Sequence, residues 1–450
     1  MFKKIEIWIL YLTIFLSILF AIGFGVLVRQ ELVGSIKAGW VSKTALTLAE
    51  IPMTTKKLLI SELTVEDRFP ALGGFSGTPN SEESYLLLSR YNGDLNEGVV
   101  ELVDLRNFKV LHTWNPDIDA FNDLIEQVDE FKYLKRDSND SRHILTHPKL
   151  TMDGQLLYGQ FIPLTKINSC SGLVFQNTTD EFHHSIETDS QGNIWASIFM
   201  YPQTLSKSLI GDAQYKDGGY HDDAVVKLSS DGEILYKKSL SDIFIENGLE
   251  YLLFGLGSYE DDPLHLNDIQ PVNYDGEFWK KGDLFLSIRN QSMVVLYRPS
   301  TNEIIWKGTG PFLHQHDVNI LDETRISVFN NNSIDVIGGK HIVAGHNEII
   351  IYDFAKDEYS TYLSESLVEY DVRSETQGRG RVMPNGDLFI EESNYGRTLY
   401  FNADGSLRWT HVNRSGDGDI YKVGWSRILY TKEDNQIVNN FLTKKGNCYE

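Results

Sequence analysis

Ile186-Glu-Thr-Asp-Ser-Gln-Gly-Asn-Ile194 runs from one apolar segment, through a polar turn, into the next apolar segment. The same form recurs in Leu150-Thr-Met-Asp-Gly-Gln-Leu156 and Val382-Met-Pro-Asn-Gly-Asp-Leu388. Asp-Gly and Asn-Gly reverse an extended chain at low conformational cost, so each stretch reads as a short β-hairpin. A second hairpin type ends near an aromatic residue: Val99 to Trp114, Val225 to Tyr236, Val294 to Trp306, Ile349 to Tyr362 and Leu399 to Trp409. One hairpin of each kind makes a four-stranded sheet. About six such repeats begin near residues 84, 146, 183, 265, 315 and 378. Radial sheets repeated around a channel form a β-propeller. Ile420 to Tyr430 reads as one more strand, able to close the ring by completing a terminal sheet. A stack of β-sandwiches is the alternative, although it would alternate less between the two hairpin types.

The sequence ahead of the hairpins has a different character. Ile7 to Val28 is 22 residues without a charge, roughly 33 Å as a helix and enough for a bilayer core. Lys3 and Lys4 precede it, a flank that keeps the N-terminus cytoplasmic and sends everything after Arg29 outward. A cleaved signal peptide is the alternative, but its apolar core is usually about 7 to 15 residues long and ends at a small-residue site not evident here. Both readings export the body of the protein to the periplasm or the cell exterior. Gln30 to Leu63 has apolar spacing compatible with a helix. The expected organisation is a membrane anchor at 1–29, a helical stalk or linker at 30–75, and an all-β, six-bladed propeller at 76–450.

The net charge of -22 argues against a nucleic-acid surface, which needs a basic stripe. An anionic substrate would have to be caught by a concentrated pocket of Arg and His. The two cysteines, Cys170 and Cys448, fall in the exported body, where they either pair or remain separate thiols. The sequence specifies no oligomer.

Polar residues at the starts of inner strands converge on the channel of a propeller, and the histidines occupy those positions. His184 opens the third repeat, His265 the fourth and His316 the fifth, while Arg289 ends the partner of the fourth inner strand. Such a set suits a tetrahedral oxyanion, gripped by the planar guanidinium and by protonated imidazole. A neutral imidazole in the same set is a nucleophile for sulfur or phosphorus. The alternatives are structural histidines bonded inside strands, and a zinc site. Only His314-Gln-His316 has ligand-like spacing, with both rings on one face if the strand is regular. The reading adopted needs neither metal nor cofactor.

These residues resemble the arylsulfotransferases, or arylsulfate sulfotransferases, a family of six-bladed propellers. The resemblance rests on Glu181-Phe-His-His-Ser-Ile186, His265-Leu-Asn-Asp-Ile269 with Ser287-Ile-Arg289, Ile304-Ile-Trp306 and His314-Gln-His-Asp-Val318. Arg379-Gly-Arg-Val-Met-Pro-Asn-Gly-Asp387 and Glu391-Glu-Ser-Asn-Tyr-Gly-Arg397 extend it across roughly residues 80 to 430. It implies transfer of a sulfuryl group from an aryl sulfate to a phenolic acceptor through a sulfated histidine, without a nucleotide donor. It implies His316 as the nucleophile, and His265 and Arg289 on the sulfuryl oxygens. His184 would be the remaining sulfate-binding or acid/base group, with His183 its competitor, since one step along a strand turns a side chain to the other face. His314, Asn267 and Arg379 are further candidates for holding substrate, and Arg381 for attracting the anion. The N-terminal apolar segment and stalk replace the extra β-domain and close-spaced cysteine pair of active bacterial members. The competing functions are a tethered propeller that binds without catalysis and a histidine-ligated metalloenzyme.

Overall fold

The computed structural model of the chain describes residues 6–32, 38–59, 63–126, 128, 131, 133–159, 161–212, 219–336 and 340–445. Two compact units make it up, Met1–Glu62 with Ser206–Gly219, and Leu63–Leu205 with Tyr220–Glu450. The named elements of the first unit are helices. Ile7–Leu32 is continuous, and over Ile7–Glu31 it is long and apolar enough to cross a membrane. Lys3 and Lys4, the expected basic flank, lie outside the described residues. A second helix, Trp40–Leu59, follows, and its Ser42 hydroxyl donates to Glu31 (2.5 Å).

The second unit is β-rich, and its hairpins are those read from the turns. The first sheet orders Arg427–Leu429, Tyr85–Asn92, Glu97–Asp104 and Lys109–Trp114. A seven-stranded sheet runs from Lys149–Leu150 to Ile234–Ser239. The third sheet runs from Leu266–Pro271 to Glu303–Gly308, the fourth from Val318–Ile320 to Glu358–Tyr362. The fifth begins at Arg379–Val382 and ends with Leu407–Val412 and Gly74–Gly77. This is a propeller arrangement. Counted as hydrogen-bonded sheets of four or more strands there are five among the described residues. The count becomes six only if the seven-stranded sheet is divided at Leu173–Thr188, whose first half pairs with Ile162–Ile167 and second half with Ile194–Phe199.

The ring is closed from both ends of the second unit. Arg427–Leu429 joins the first sheet antiparallel to Tyr85–Leu87, as the terminal-strand reading anticipated. Gly74–Gly77 adds to the outside of the fifth sheet against Trp409–Val412. Cys170 is disulfide-bonded; Cys448, the other cysteine of the sequence, lies outside the described residues. Apolar side chains fill the gaps between sheets. Trp114 and Trp409 are fully buried, and the Trp409 indole N–H donates to Asn80 Oδ1 (2.9 Å), so its polar edge is satisfied where it cannot meet water.

Buried carboxylates make four of the five links from one sheet to the next, at the start of an inner strand. Asp223 accepts from the Leu266 amide (2.5 Å), and Asp268 from the Val318 amide (2.7 Å). Asp317 accepts from the Gly380 amide (3.2 Å). Glu391 takes two donors, the Trp425 (2.6 Å) and Ser426 (2.7 Å) amides. The link from the first sheet to the seven-stranded one uses neutral groups: Ser89 Oγ donates to the Leu145 carbonyl (2.8 Å), and the His147 amide to the Gly424 carbonyl (3.1 Å). Burial raises the Glu391 carboxyl above its ordinary range.

Replacing Glu391 by Ala leaves two buried amide donors without an acceptor. The expected loss is about 3 kcal/mol, given that each unsatisfied group costs roughly 1–3 kcal/mol. Glu391→Gln keeps one acceptor oxygen and should lose less. Denaturant unfolding of the two variants checks that order, and wild-type stability in Glu391→Ala would show that the link does not hold the closure.

Candidate functional site

Where the chain enters each inner strand, its backbone is left-handed. Trp425 (φ 59°), His147 (φ 57°), His265 (φ 58°), His314 (φ 51°) and Gly378 (φ 113°) occupy these positions, and His184 (φ 54°) is left-handed within Leu173–Thr188 of the same seven-stranded sheet that His147 precedes. A residue with a Cβ adopts this conformation at a cost of order 1–3 kcal/mol, retained where surrounding structure imposes it. At His184 the kink coincides with a break in pairing, since Ala196 faces Ile186 while Ser197 faces His183. The extra residues of the bulge free His184 from strict strand alternation.

Three histidine rings then come together, with a fourth, His147, across Trp425. His184 Nε2 lies 3.0 Å from His265 Nε2. The His184 and His316 ring centroids are 6.3 Å apart. His316 and His147 both flank Trp425, at 6.3 Å and 4.1 Å between centroids. The Arg289 amide donates to the His265 carbonyl (2.8 Å), which seats Arg289 next to the chamber; its guanidinium bonds Asn290 Oδ1 (2.6 Å).

The hydrogen bonds set the protonation of two rings. Asn331 spends its amide donors on the Ser374 and Gln377 carbonyls (2.8 Å each), leaving Oδ1 to face His316 Nδ1 at 2.7 Å. The His314 carbonyl is 3.2 Å from the same nitrogen. Both partners are acceptors, so Nδ1 carries the proton and Nε2 a lone pair. That Nε2 is buried and has no hydrogen-bond partner. Burial, then the nearby positive charge of Arg289, push His316 down to about 3, so the ring is neutral at physiological pH. His265 differs. Burial alone would lower it, but Asp262, 2.6 Å from its Nδ1, raises it above the ordinary histidine value. His184 is held well below by burial and by His183 and His265. The short contact between the two Nε2 atoms therefore joins a ring held neutral to one whose protonation Asp262 favours, and a single proton is shared between them.

The other candidates are placed elsewhere. His183 is buried edge-on to His184 (5.0 Å) and directed to the other side, with Nε2 3.1 Å from Asp223 and its ring stacked on Phe199 (4.2 Å), so His184 is the member of the doublet that meets His265. His314 and His316 do not share a regular strand face: His314 is left-handed and its Nδ1 lies 3.7 Å from Asp335. Gln315 between them donates to the Ile288 and Met293 carbonyls of the third sheet. Asn267 donates to the Gln315 carbonyl (2.9 Å), and its Oδ1 has no partner. Arg379 bonds Asp317 (3.1 Å) and lies over Trp425 (5.3 Å). Arg381 bonds Asn319 and Tyr430. Glu392, in the Glu391 to Arg397 run, bonds Arg397 and accepts from the Arg373 amide (2.6 Å).

Sequence reasoning missed His147, Trp425, Asn331 and Asp262. His147 carries a local signal, since it precedes an inner strand as His265 does. Trp425 enters only once the ring is closed. Among the described residues no group of three or more His, Cys, Asp or Glu could hold a metal ion, and the facing nitrogens of His184 and His265 are engaged with each other.

A histidine whose folded pKa is depressed refuses the proton that the unfolded chain accepts. His316 should thus withdraw stability as pH falls from its unfolded value of 6.5 towards about 3, at about 1.4 kcal/mol per pH unit, and have no such effect above 6.5. In nitrogen-15 NMR at pH 5 it should be neutral with its proton on Nδ1. A protonated ring at that pH, or a proton on Nε2, would contradict the assignment.

A search of curated proteins finds no match to this chain. Solved structures similar to it include a protein of unknown function from Bacteroides caccae, with 10% identity over 77% of this chain and 99% of that one, at a TM-score of 0.47. TolB from Acinetobacter baumannii matches at 10% identity over 77% and 66%, TM-score 0.42. The Pan2 WD40 domain of Neurospora crassa matches at 8% over 78% and 89%, TM-score 0.39. Likenesses this distant bear on neither activity nor substrate. The family model is of a different order, because it matches residues 150–414, well over half of the chain and the stretch that contributes His184, His265, Arg289 and His316. The chain belongs to the arylsulfotransferase (ASST) family.

Proposed function

We propose that the chain transfers a sulfuryl group from an aryl sulfate to a phenolic or other hydroxyl acceptor, with His316 as the nucleophile. The observation that carries this reading is His316 Nε2: buried, unpartnered, and fixed as the lone-pair nitrogen of a neutral ring by Asn331. A group so prepared, beside Arg289 and a raised-pKa histidine, has the properties that covalent group transfer requires.

In the first half-reaction His316 Nε2 attacks sulfur. The N–S bond forms as the bond from sulfur to the aryl oxygen breaks, and its electron pair leaves on the phenolate. Arg289 and His265 offset charge on the sulfuryl oxygens. The proton shared by His265 and His184 passes to the departing oxygen. In the second half-reaction the acceptor oxygen attacks sulfur, its proton returns to the same pair, and the N–S electrons return to Nε2. Phe161, 48% exposed and edge-on to His184 at 6.4 Å, offers an aromatic platform beside the chamber and supports an aryl substrate.

The same reading places the propeller outside the cytoplasm, anchored by Ile7–Leu32. The apolar helix and the disulfide at Cys170 both support export, since disulfides persist in oxidising compartments.

The test is nitrophenolate release from 4-nitrophenyl sulfate by the full-length protein in detergent, with phenol as acceptor and no nucleotide added. Release should require phenol and vanish in His316→Ala. Arg289→Lys should lose about 100-fold in kcat, the scale of removing one preorganised donor to a developing oxyanion. Undiminished turnover by His316→Ala would overturn the nucleophile assignment, and no release with any phenol would overturn the activity.

A further inference from the structure

The channel carries a second set of charges that sulfuryl transfer does not use. It arises from the same strand starts: Lys149 follows His147 by two residues, Arg427 follows Trp425 by two, and Arg379 follows Gly378 directly. These three cations, together with Arg381, line a cavity of about 670 Å³. None of His184, His265, His316 or Arg289 is in its lining.

Charge in the inner part of this cavity is unbalanced. Lys149 (3.1 Å) and Arg427 (2.6 Å) share Glu187, and Arg379 bonds Asp317 (3.1 Å). Arg381 has only neutral partners, Asn319 and Tyr430. Four cations therefore face two carboxylates. Burial and the neighbouring Asp317 push Asp268 up to about 7, so it is only partly ionised at neutral pH and offsets part of the excess. Burial would raise Glu187, yet Arg427, Lys149 and Arg379 hold it far below the usual carboxylate range. The outer acids are Asp153, paired with Lys166 (2.8 Å), Asp189, paired with Lys227 (2.9 Å), Asp434, which caps the helix Lys432–Lys444, and Glu433, exposed in that helix's first turn.

One guanidinium nitrogen has no partner. Arg379 is 5% exposed, its Nη2 is bonded to Asp317, and its Nη1 is buried without an acceptor. A buried charged donor left unpaired is uncommon and calls for an acceptor oxygen. The volume is in the range of small-molecule sites and far exceeds what a bare oxyanion fills. Gln191, Gln270, Asn273 and Thr151 supply amides and a hydroxyl around the remaining space, which suits a hydroxylated body.

We propose that this cavity is a second anion site, for a sulfate or phosphate ester of a small polar compound such as a sugar, with the ester oxygens on Arg379 Nη1 and Arg381. The proposal stands independently of the sulfotransferase reading, because it uses none of the chamber residues.

Calorimetric titration of the full-length protein in detergent with glucose 6-sulfate, glucose 6-phosphate and glucose tests it. One or both esters should bind and glucose should not; whichever ester binds more tightly identifies the charge the site prefers. Arg381→Gln should weaken binding at least about tenfold, the effect of losing about 1.4 kcal/mol, while Arg381→Lys should retain most of it and so exclude misfolding as the cause. The double chamber variant Arg289→Gln/His316→Ala should bind as the wild type does. Binding lost in the chamber variant but unchanged in Arg381→Gln would overturn the proposal, as would equal binding of glucose or no binding of either ester at millimolar concentration.

Discussion

The structure depends on a chain of buried hydrogen bonds in which an acid of one sheet accepts the backbone N–H that begins the inner strand of the next. Asp223, Asp268, Asp317 and Glu391 each make such a link. A carboxylate in a low-dielectric interior must be satisfied there or be neutralised, and an amide buried beside it has the same need. Each therefore holds the other in place. Because the links fall at strand starts, they set where one sheet's first inner residue stands relative to its neighbour's. The chamber is built from those first residues.

The strain follows from the same constraint. Trp425, His147, His184, His265 and His314 are left-handed, and His316 Nε2 and Arg379 Nη1 are buried without partners. These are local penalties concentrated along the axis. They are offset in the apolar layers between sheets, where Trp114, Trp409, Tyr158 and Phe285 are fully buried and supply large apolar contacts. Apolar burial is concentrated in the gaps between sheets, and the strained and unpartnered groups along the channel.

Charge is divided between the chamber and the cavity. Around the chamber, burial keeps His316 and His184 neutral while Asp262 raises His265. In the cavity the charges persist as ion pairs around Glu187 and Asp317. Trp425 is in contact range of both sets, standing near His316 and under Arg379. A neutral imidazole with an unpartnered Nε2, His316, is thereby kept apart from a cluster of ion pairs.

The hairpins, the positions at which sheets begin except that expected near 183, which lies within the seven-stranded sheet, and the candidacy of His184, His265, His316 and Arg289 were legible in the sequence, because turn chemistry and strand alternation act over a few residues. So was the apolar N-terminal helix. Which histidine of the doublet faces His265 was not, since a bulge opposite Ala196 and Ser197 overrides alternation. The separation of His314 from His316 was hidden likewise by a left-handed residue. The tautomer of His316 depends on Asn331, and the amide of Asn331 depends in turn on Ser374 and Gln377. Trp425 reaches the chamber only after the chain has gone round the ring, and Arg379 is drawn to Asp317 rather than to the histidines. Local pattern determined which residues stand at the strand starts; long-range hydrogen bonds and burial decided which way each side chain points and whether it carries a proton.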